Sequence, residues 1–152
     1  MAHRILVLTP AEAQARRAAL AGLLVDAVQA GASVNFVWPM DRAKAAAWWD
    51  GALASHARGE RLILTAELDG RLDGTVQLVP AAQPNQAHRA DIAKMLVHTR
   101  ARRQGLGAAL LRAAETEALR LGRILLNLDT ETASADGSRL DAASFFYKRL
   151  VP

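Results

Sequence analysis

The chain has 152 residues, 51% of them hydrophobic, with a formal net charge of +4 and no cysteine. That length holds one ordinary core, so a single domain spanning residues 1–152 is expected. Without thiols there are no disulfides, cysteine-ligated metals or cysteine nucleophile, and no metal site is expected. The 19 basic residues are interspersed with 15 acidic ones, without the long basic run or aromatic platform of a nucleic-acid binder.

The apolar run Ile5-Leu6-Val7-Leu8 is too short for a secretory leader and is expected as a first strand. No stretch of about 18 apolar residues is present to span a membrane, so a soluble cytoplasmic protein is expected. Thr9 is placed to cap a helix, with Pro10 in its first turn. This helix should run to about Ala30, burying Leu20, Leu23, Leu24, Ala27 and Val28, and end at Gly31.

Asp41 should cap a second helix that runs to about Ala57 and carries Ala45, Trp48, Trp49 and Leu53. Adjacent indoles cannot share one line of a helix, so one packs inward while the other edges toward the surface or a pocket. Residues 61–67 and 75–79 read as an antiparallel hairpin around the turn dipeptides Asp69-Gly70 and Asp73-Gly74. A polar loop, residues 81–86, leads into a strand over residues 88–97.

That strand is followed by Arg102-Arg103-Gln104-Gly105-Leu106-Gly107 and then by a helix. Its apolar positions are Leu106, Leu110, Leu111, Ala114, Ala118 and Leu121, and Gly122 stops it. A helix start offers unpaired N–H groups and partial positive charge, which together attract an anion. Glycines at 105 and 107 allow close approach to the main chain, and Arg102 and Arg103 add cationic donors. On spacing alone the stretch also suits a solvated turn. The flanks favour the anion site, because the next run, Ile124-Leu125-Leu126-Asn127-Leu128-Asp129, reads as a central strand with polar residues on one face.

Two other phosphate loops fit less well. No lysine follows Gly105 or Gly107, as a Walker-type loop requires. A dinucleotide fingerprint would place a third glycine at Leu110, although Asp129 at a strand end matches its ribose-binding acid.

The loop carries Arg102, two variable residues, Gly105, one variable residue and Gly107. In this it resembles the cofactor motif of the GNAT superfamily of acetyl-CoA-dependent N-acetyltransferases. Gly31-Ala32-Ser33-Val34, Ala47-Trp48-Trp49-Asp50-Gly51, residues 89–97 and Leu128-Asp129-Thr130-Glu131-Thr132 resemble the subgroup of tabtoxin-resistance acetyltransferases. The resemblance implies an α/β (α+β) fold: a mixed, mostly antiparallel sheet flanked by helices and splayed between its fourth and fifth strands.

The same resemblance places acetyl-CoA in that gap, against Met95, Leu96, Val97, Arg102, Arg103, Gln104, Gly105, Leu106, Gly107 and Ala108. It implies direct attack of a neutral amine, from a small-molecule substrate, on the acetyl carbonyl. Asp91 stands where the subgroup has a glutamate, its shorter side chain calling for a bridging water, and Asp129 ends the fifth strand beside the same gap. Either can act as base or hold a cationic substrate, since carboxylates serve both purposes. The alternative for Asp91 is an ion pair with Arg89 or Lys94, and His88 and His98 are expected to be surface or core histidines.

After the fifth strand the sequence departs from the family. One alignment puts residues 142–150 on a helix and makes Tyr147 the acid that protonates the thiolate. The other, favoured because the aromatic run suits a strand and Asp136-Gly137 a turn, matches residues 145–150 to the family's last strand. Tyr147 is then a packing or dimer-edge residue. An apparently shortened C-terminal region implies an open sheet edge that a homodimer could cover, and it admits an alternative function: an acyl-CoA-binding module with weak turnover.

Overall fold

The computed structural model describes residues 2–31, 40–133 and 140–150. In chain order the elements are β1 (Arg4–Val7), α1 (Pro10–Ala15), α2 (Arg17–Gln29), α3 (Arg42–Ala57), β2 (Leu62–Leu68), β3 (Arg71–Pro80), β4 (Arg89–Val97), α4 (Leu106–Arg120), β5 (Leu125–Ala133) and β6 (Leu140–Arg149). A short 3-10 turn, Thr99–Ala101, stands between β4 and α4.

Local chemistry accounts for several boundaries. Thr9 Oγ1 accepts from the Glu12 N–H while Glu12 Oε2 accepts from the Thr9 N–H at 2.8 Å, a reciprocal cap on α1. Asp41 Oδ1 accepts from the Lys44 N–H at 2.8 Å at the start of α3. The single helix expected from Pro10 to Ala30 is instead two, divided at Arg16, whose backbone leaves the helical range (φ −99, ψ 8). Arg16 pairs with Glu67 of β2. Helix propensity is continuous through this alanine-rich stretch, so the break follows from tertiary pairing.

The hairpin also differs from expectation. Asp69-Gly70 is its turn, with positive φ at both residues (51 and 79). Asp73-Gly74 lies within β3 instead. Asp73 is fully buried and accepts from Arg71, Arg100 and His3. Gly74 is there for packing: a Cβ would meet Leu110 Cδ1 at 3.0 Å and the Leu96 carbonyl at 3.3 Å.

The six strands follow sequence order across one sheet, antiparallel except for the parallel pair β4–β5. Alternation sends Leu64, Val76, Leu78, Ala90, Ile92 and Leu126 to the face covered by α4, where Leu106, Leu110, Ala114 and Ala118 meet them. Helices α1, α2 and α3 cover the other face over Ile63, Leu72 and Leu96. Trp49 is buried there, with Trp48 edge-on to it at 5.2 Å and half-buried, as the adjacent-indole argument requires.

Two irregularities open the sheet. Parallel pairing runs only from Arg89↔Leu125 to Ile92↔Leu128, after which β4 continues against β3 and β5 against β6. A bulge in β4 sets Lys94 and Met95 against the single residue Val76, with Lys94 at φ 49. The two strands therefore diverge where the sequence expectation placed the splay.

Candidate active site

Beside this divergence lies a cavity of about 350 Å³. The bulged end of β4 supplies Met95, Leu96 and Val97; the loop and first turn of α4 supply Arg102, Arg103, Gly105, Leu106 and Gly107. Eight of the ten residues expected at a cofactor site thus surround one space. Gln104 and Ala108 do not line it, while Ala27 of α2 and Ala101 do. Ala27 was missed because its helix periodicity marks it only as core; nothing local in the sequence points to the loop.

The loop has the geometry of an anion cradle. Gly105 is left-handed at φ 79, and Arg103 shares that region at φ 61. The first hydrogen bond into α4 runs from the Ala109 N–H to the Gly105 carbonyl at 3.0 Å, so Leu106, Gly107 and Ala108 have no intrahelical acceptor for their N–H groups. A Cβ at Gly105 or Gly107 would meet nothing within 4 Å, so space lies open in front of the main chain at both positions. Arg102 and Arg103 are exposed, and Arg102 Nε reaches the Val97 carbonyl at 3.4 Å.

Asp91 sits one pair before the strands part, opposite Val79 on one side and Asn127 on the other. Its neighbours Ala90 and Ile92 face α4, so alternation turns Asp91 to the opposite face. The expected alternative partner is present: Arg89 Nε lies 3.5 Å from Asp91 Oδ1, with the Asp91 side chain 38% exposed. Lys94 instead lies over the Trp48 ring, 5.4 Å from its centroid. Neither Asp91 Oδ1 nor Asn127 Oδ1, both buried atoms, accepts a hydrogen bond. Asn127 was not singled out from sequence, although a lone amide within Leu125-Leu126-Asn127-Leu128 is the signal that could have found it.

Asp129 is the first β5 residue beyond the parallel pairing, and Tyr147 on β6 stands opposite Asn127. Asp91, Asn127 and Tyr147 therefore share one row across three strands. The side chains of Asp129 and Tyr147 lie outside the described residues, as do residues 134–139 with the Asp136-Gly137 turn. The helical alternative for residues 142–150 is overturned: Leu140–Arg149 is strand β6, held in register on β5 from Leu125↔Arg149 to Ala133↔Leu140. Of the two histidines, His88 offers its carbonyl to the Ile124 and Leu125 N–H groups, and the His98 ring accepts from the Arg100 N–H at 3.2 Å.

The sequence profile of the acetyltransferase (GNAT) family matches residues 14–139. This chain belongs to the acetyltransferase (GNAT) family. A relative from Azospirillum brasilense, named an uncharacterized N-acetyltransferase in the hisH-hisA intergenic region, is 38% identical over 117 residues, 75% of this chain and 68% of that protein. Among solved structures, an N-acetyltransferase from Staphylococcus aureus Mu50 aligns with a TM-score of 0.74 at 16% identity, covering 99% of this chain and all of that one (100%). The Salmonella typhimurium protein yncA, solved with its cofactor acetyl-CoA, gives 0.72 at 19% identity, covering 99% and 95%. At these identities the two structures establish a shared GNAT fold, and the mostly antiparallel sheet with its one parallel pair is the sheet the resemblance implied.

Proposed function

We propose that this GNAT family member transfers an acetyl group from acetyl-CoA to the amine of a small molecule. One observation carries the reading: the cavity where β4 and β5 part is walled by a loop whose glycines, arginines and unpaired helix-start N–H groups all suit a pyrophosphate. Leu106, Gly107 and Ala108 would donate to the phosphates, Arg102 and Arg103 would balance their charge, and Met95, Leu96 and Val97 would flank the thioester arm. Acetyl-CoA supplies an activated acyl group with a thiolate leaving group.

The chain's own residues must orient the amine, take one proton from its ammonium form, and let the second nitrogen proton leave as the thiolate gains one. Asp91, with its side chain 38% exposed, takes the proton from the incoming ammonium, directly or through one water. Asp129 holds a cationic substrate beside the gap. Although the helical alignment that suggested Tyr147 as the acid is overturned, β6 sets it in the same row as Asp91, and on that ground it is the candidate to return a proton to the departing thiolate. A small amine is preferred over a protein amine on the resemblance to the tabtoxin-resistance subgroup, and a cytoplasmic location and a homodimer across the β6 edge belong to the same reading.

A second reading, an acyl-CoA-binding module with weak turnover, is favoured by the ion pair that engages Asp91 with Arg89. Calorimetric titration with acetyl-CoA followed by thiol release over a panel of small amines separates the two. Binding with amine-dependent release supports the transferase, and binding without it supports the module. Absence of acetyl-CoA binding overturns both.

A further inference from the structure

The cofactor loop has little packing of its own. Residues 102–105 are exposed, with one long contact from Arg102 Nε to the Val97 carbonyl at 3.4 Å, and the two ends are anchored at buried Ala101 (1% exposed) and Leu106 (5%). What fixes the upstream anchor is the turn Thr99–Ala101, and that turn is gripped from two sides. From β3, Asp73 accepts from Arg100 Nε at 2.6 Å, its backbone carbonyl accepts from the His98 N–H at 2.8 Å, and the neighbouring Leu72 carbonyl accepts from Arg100 Nη2 at 3.0 Å. From α2, the Asp26 carboxylate accepts from the Thr99 N–H at 2.9 Å and its hydroxyl at 2.8 Å, and lies 3.5 Å from His98 Nε2.

We propose that Asp73, acting through Arg100, and Asp26, acting through Thr99, are positioning residues that set where the cofactor loop begins. This rests on the acetyl-CoA reading above for its kinetic consequence, but not for its structural one. Charge-assisted hydrogen bonds to a carboxylate are short and directional, so two of them from opposite sides locate a turn as packing alone would not. Preorganising the loop spares the cofactor the ordering cost of binding, which appears in affinity and not in the chemical step.

Asp73 also takes Arg71, with Nη2 at 2.9 Å, and His3, with Nε2 at 2.8 Å. Arg71 supplies a matched control, since Arg71→Met and Arg100→Met each remove one guanidinium from the same carboxylate. Only Arg100 belongs to the turn. Its side chain is 39% exposed and that of Arg71 50%, so neither change leaves a core cavity.

The test is amide hydrogen exchange on the cofactor-free full chain, followed by kinetics. Arg100→Met and Asp26→Ala should speed exchange at residues 98–108 roughly tenfold, the scale of one charge-assisted hydrogen bond, with α3 unchanged; Arg71→Met should leave residues 98–108 as in the wild type. The KM for acetyl-CoA should rise by a similar factor in the first two variants, with kcat within about twofold, and Arg100→Lys should recover part of the loss. Equal loosening by Arg71→Met and Arg100→Met, or a fall in kcat without a change in KM, overturns the proposal. If the exchange pattern holds but the wild type does not bind acetyl-CoA, the positioning stands and the functional reading fails.

Discussion

Two aspartates on neighbouring strands sit in opposite environments. Asp73 on β3 is fully enclosed and saturated, bonded to two guanidinium groups and an imidazole. Asp91 on β4 is 38% exposed, and its buried Oδ1 faces Arg89 Nε at 3.5 Å without a hydrogen bond. Burial pushes the Asp73 carboxyl up, but its bonds to Arg71, His3 and Arg100 outweigh that and hold it far below the usual carboxylate range. All of its hydrogen-bonding capacity is committed, so it can brace a loop but not exchange a proton. Asp91 meets solvent and one arginine.

The contrast can be broken most sharply by removing each charge in turn. Asp91→Asn should lower amine-dependent thiol release by about 10²- to 10⁴-fold, the usual share of a general base, while urea denaturation shifts by less than about 0.5 kcal/mol. An unchanged rate would return Asp91 to the surface ion pair. Asp73→Ala should do the reverse to stability, costing about 1–3 kcal/mol in the same denaturation because it leaves the largely buried His3 side chain and the part-exposed Arg71 and Arg100 without their shared acceptor.

Next in size, Gly107→Phe should weaken acetyl-CoA binding by at least about tenfold in calorimetry, since a ring would fill the open space before the helix-start N–H groups. Unchanged affinity would mean that the loop serves another purpose. Acid titration of stability sharpens the comparison further. The folded Asp73 carboxyl is depressed, so its stabilisation is present above the unfolded value, about 4, and fades as pH falls below it toward the folded value. Asp73→Asn should therefore flatten the acid limb of a melting-temperature profile, and a limb as steep as the wild type's would contradict the assignment.

The smallest effect concerns His56 of α3, which burial holds below its usual range despite a hydrogen bond with the Leu8 backbone. Its folded pKa is depressed, so the unfolded chain takes up the proton first and stability falls as pH drops from about 6.5 through the folded value. His56→Leu should remove that slope from melting curves between pH 7 and 5, and a slope that persists would assign it to another group.

Much of this was legible locally. Thr9, Asp41 and the left-handed glycines at 31, 70, 105 and 122 mark boundaries through short-range backbone chemistry, and the structure has them there. The loop that walls the cavity was legible for the same reason, its residues being contiguous from 102 to 107. The failures were of longer range. Asp73-Gly74 has the composition of a turn but lies in a strand, because Gly74 makes room for Leu110 and Asp73 collects partners up to 70 residues away. Arg16 broke a continuous helical pattern through Glu67, 51 residues on. Ala27 reached the cavity from α2, and Asn127 joined Asp91 through a parallel pairing that no local pattern encodes.

By itself, then, the sequence determined the caps and glycine stops of its elements, the glycine-rich loop at residues 102–107 and the family, since these depend on dihedral preference, hydrophobic period and residues adjacent in the chain. The tertiary structure decided which aspartate is enclosed with all its bonds made and which stands part-exposed beside one arginine. Burial and hydrogen-bond saturation are properties of neighbours in space, and for Asp73 and Asp91 those neighbours include His3 just before β1, Arg100 in the turn beyond β4, and Asn127 on β5.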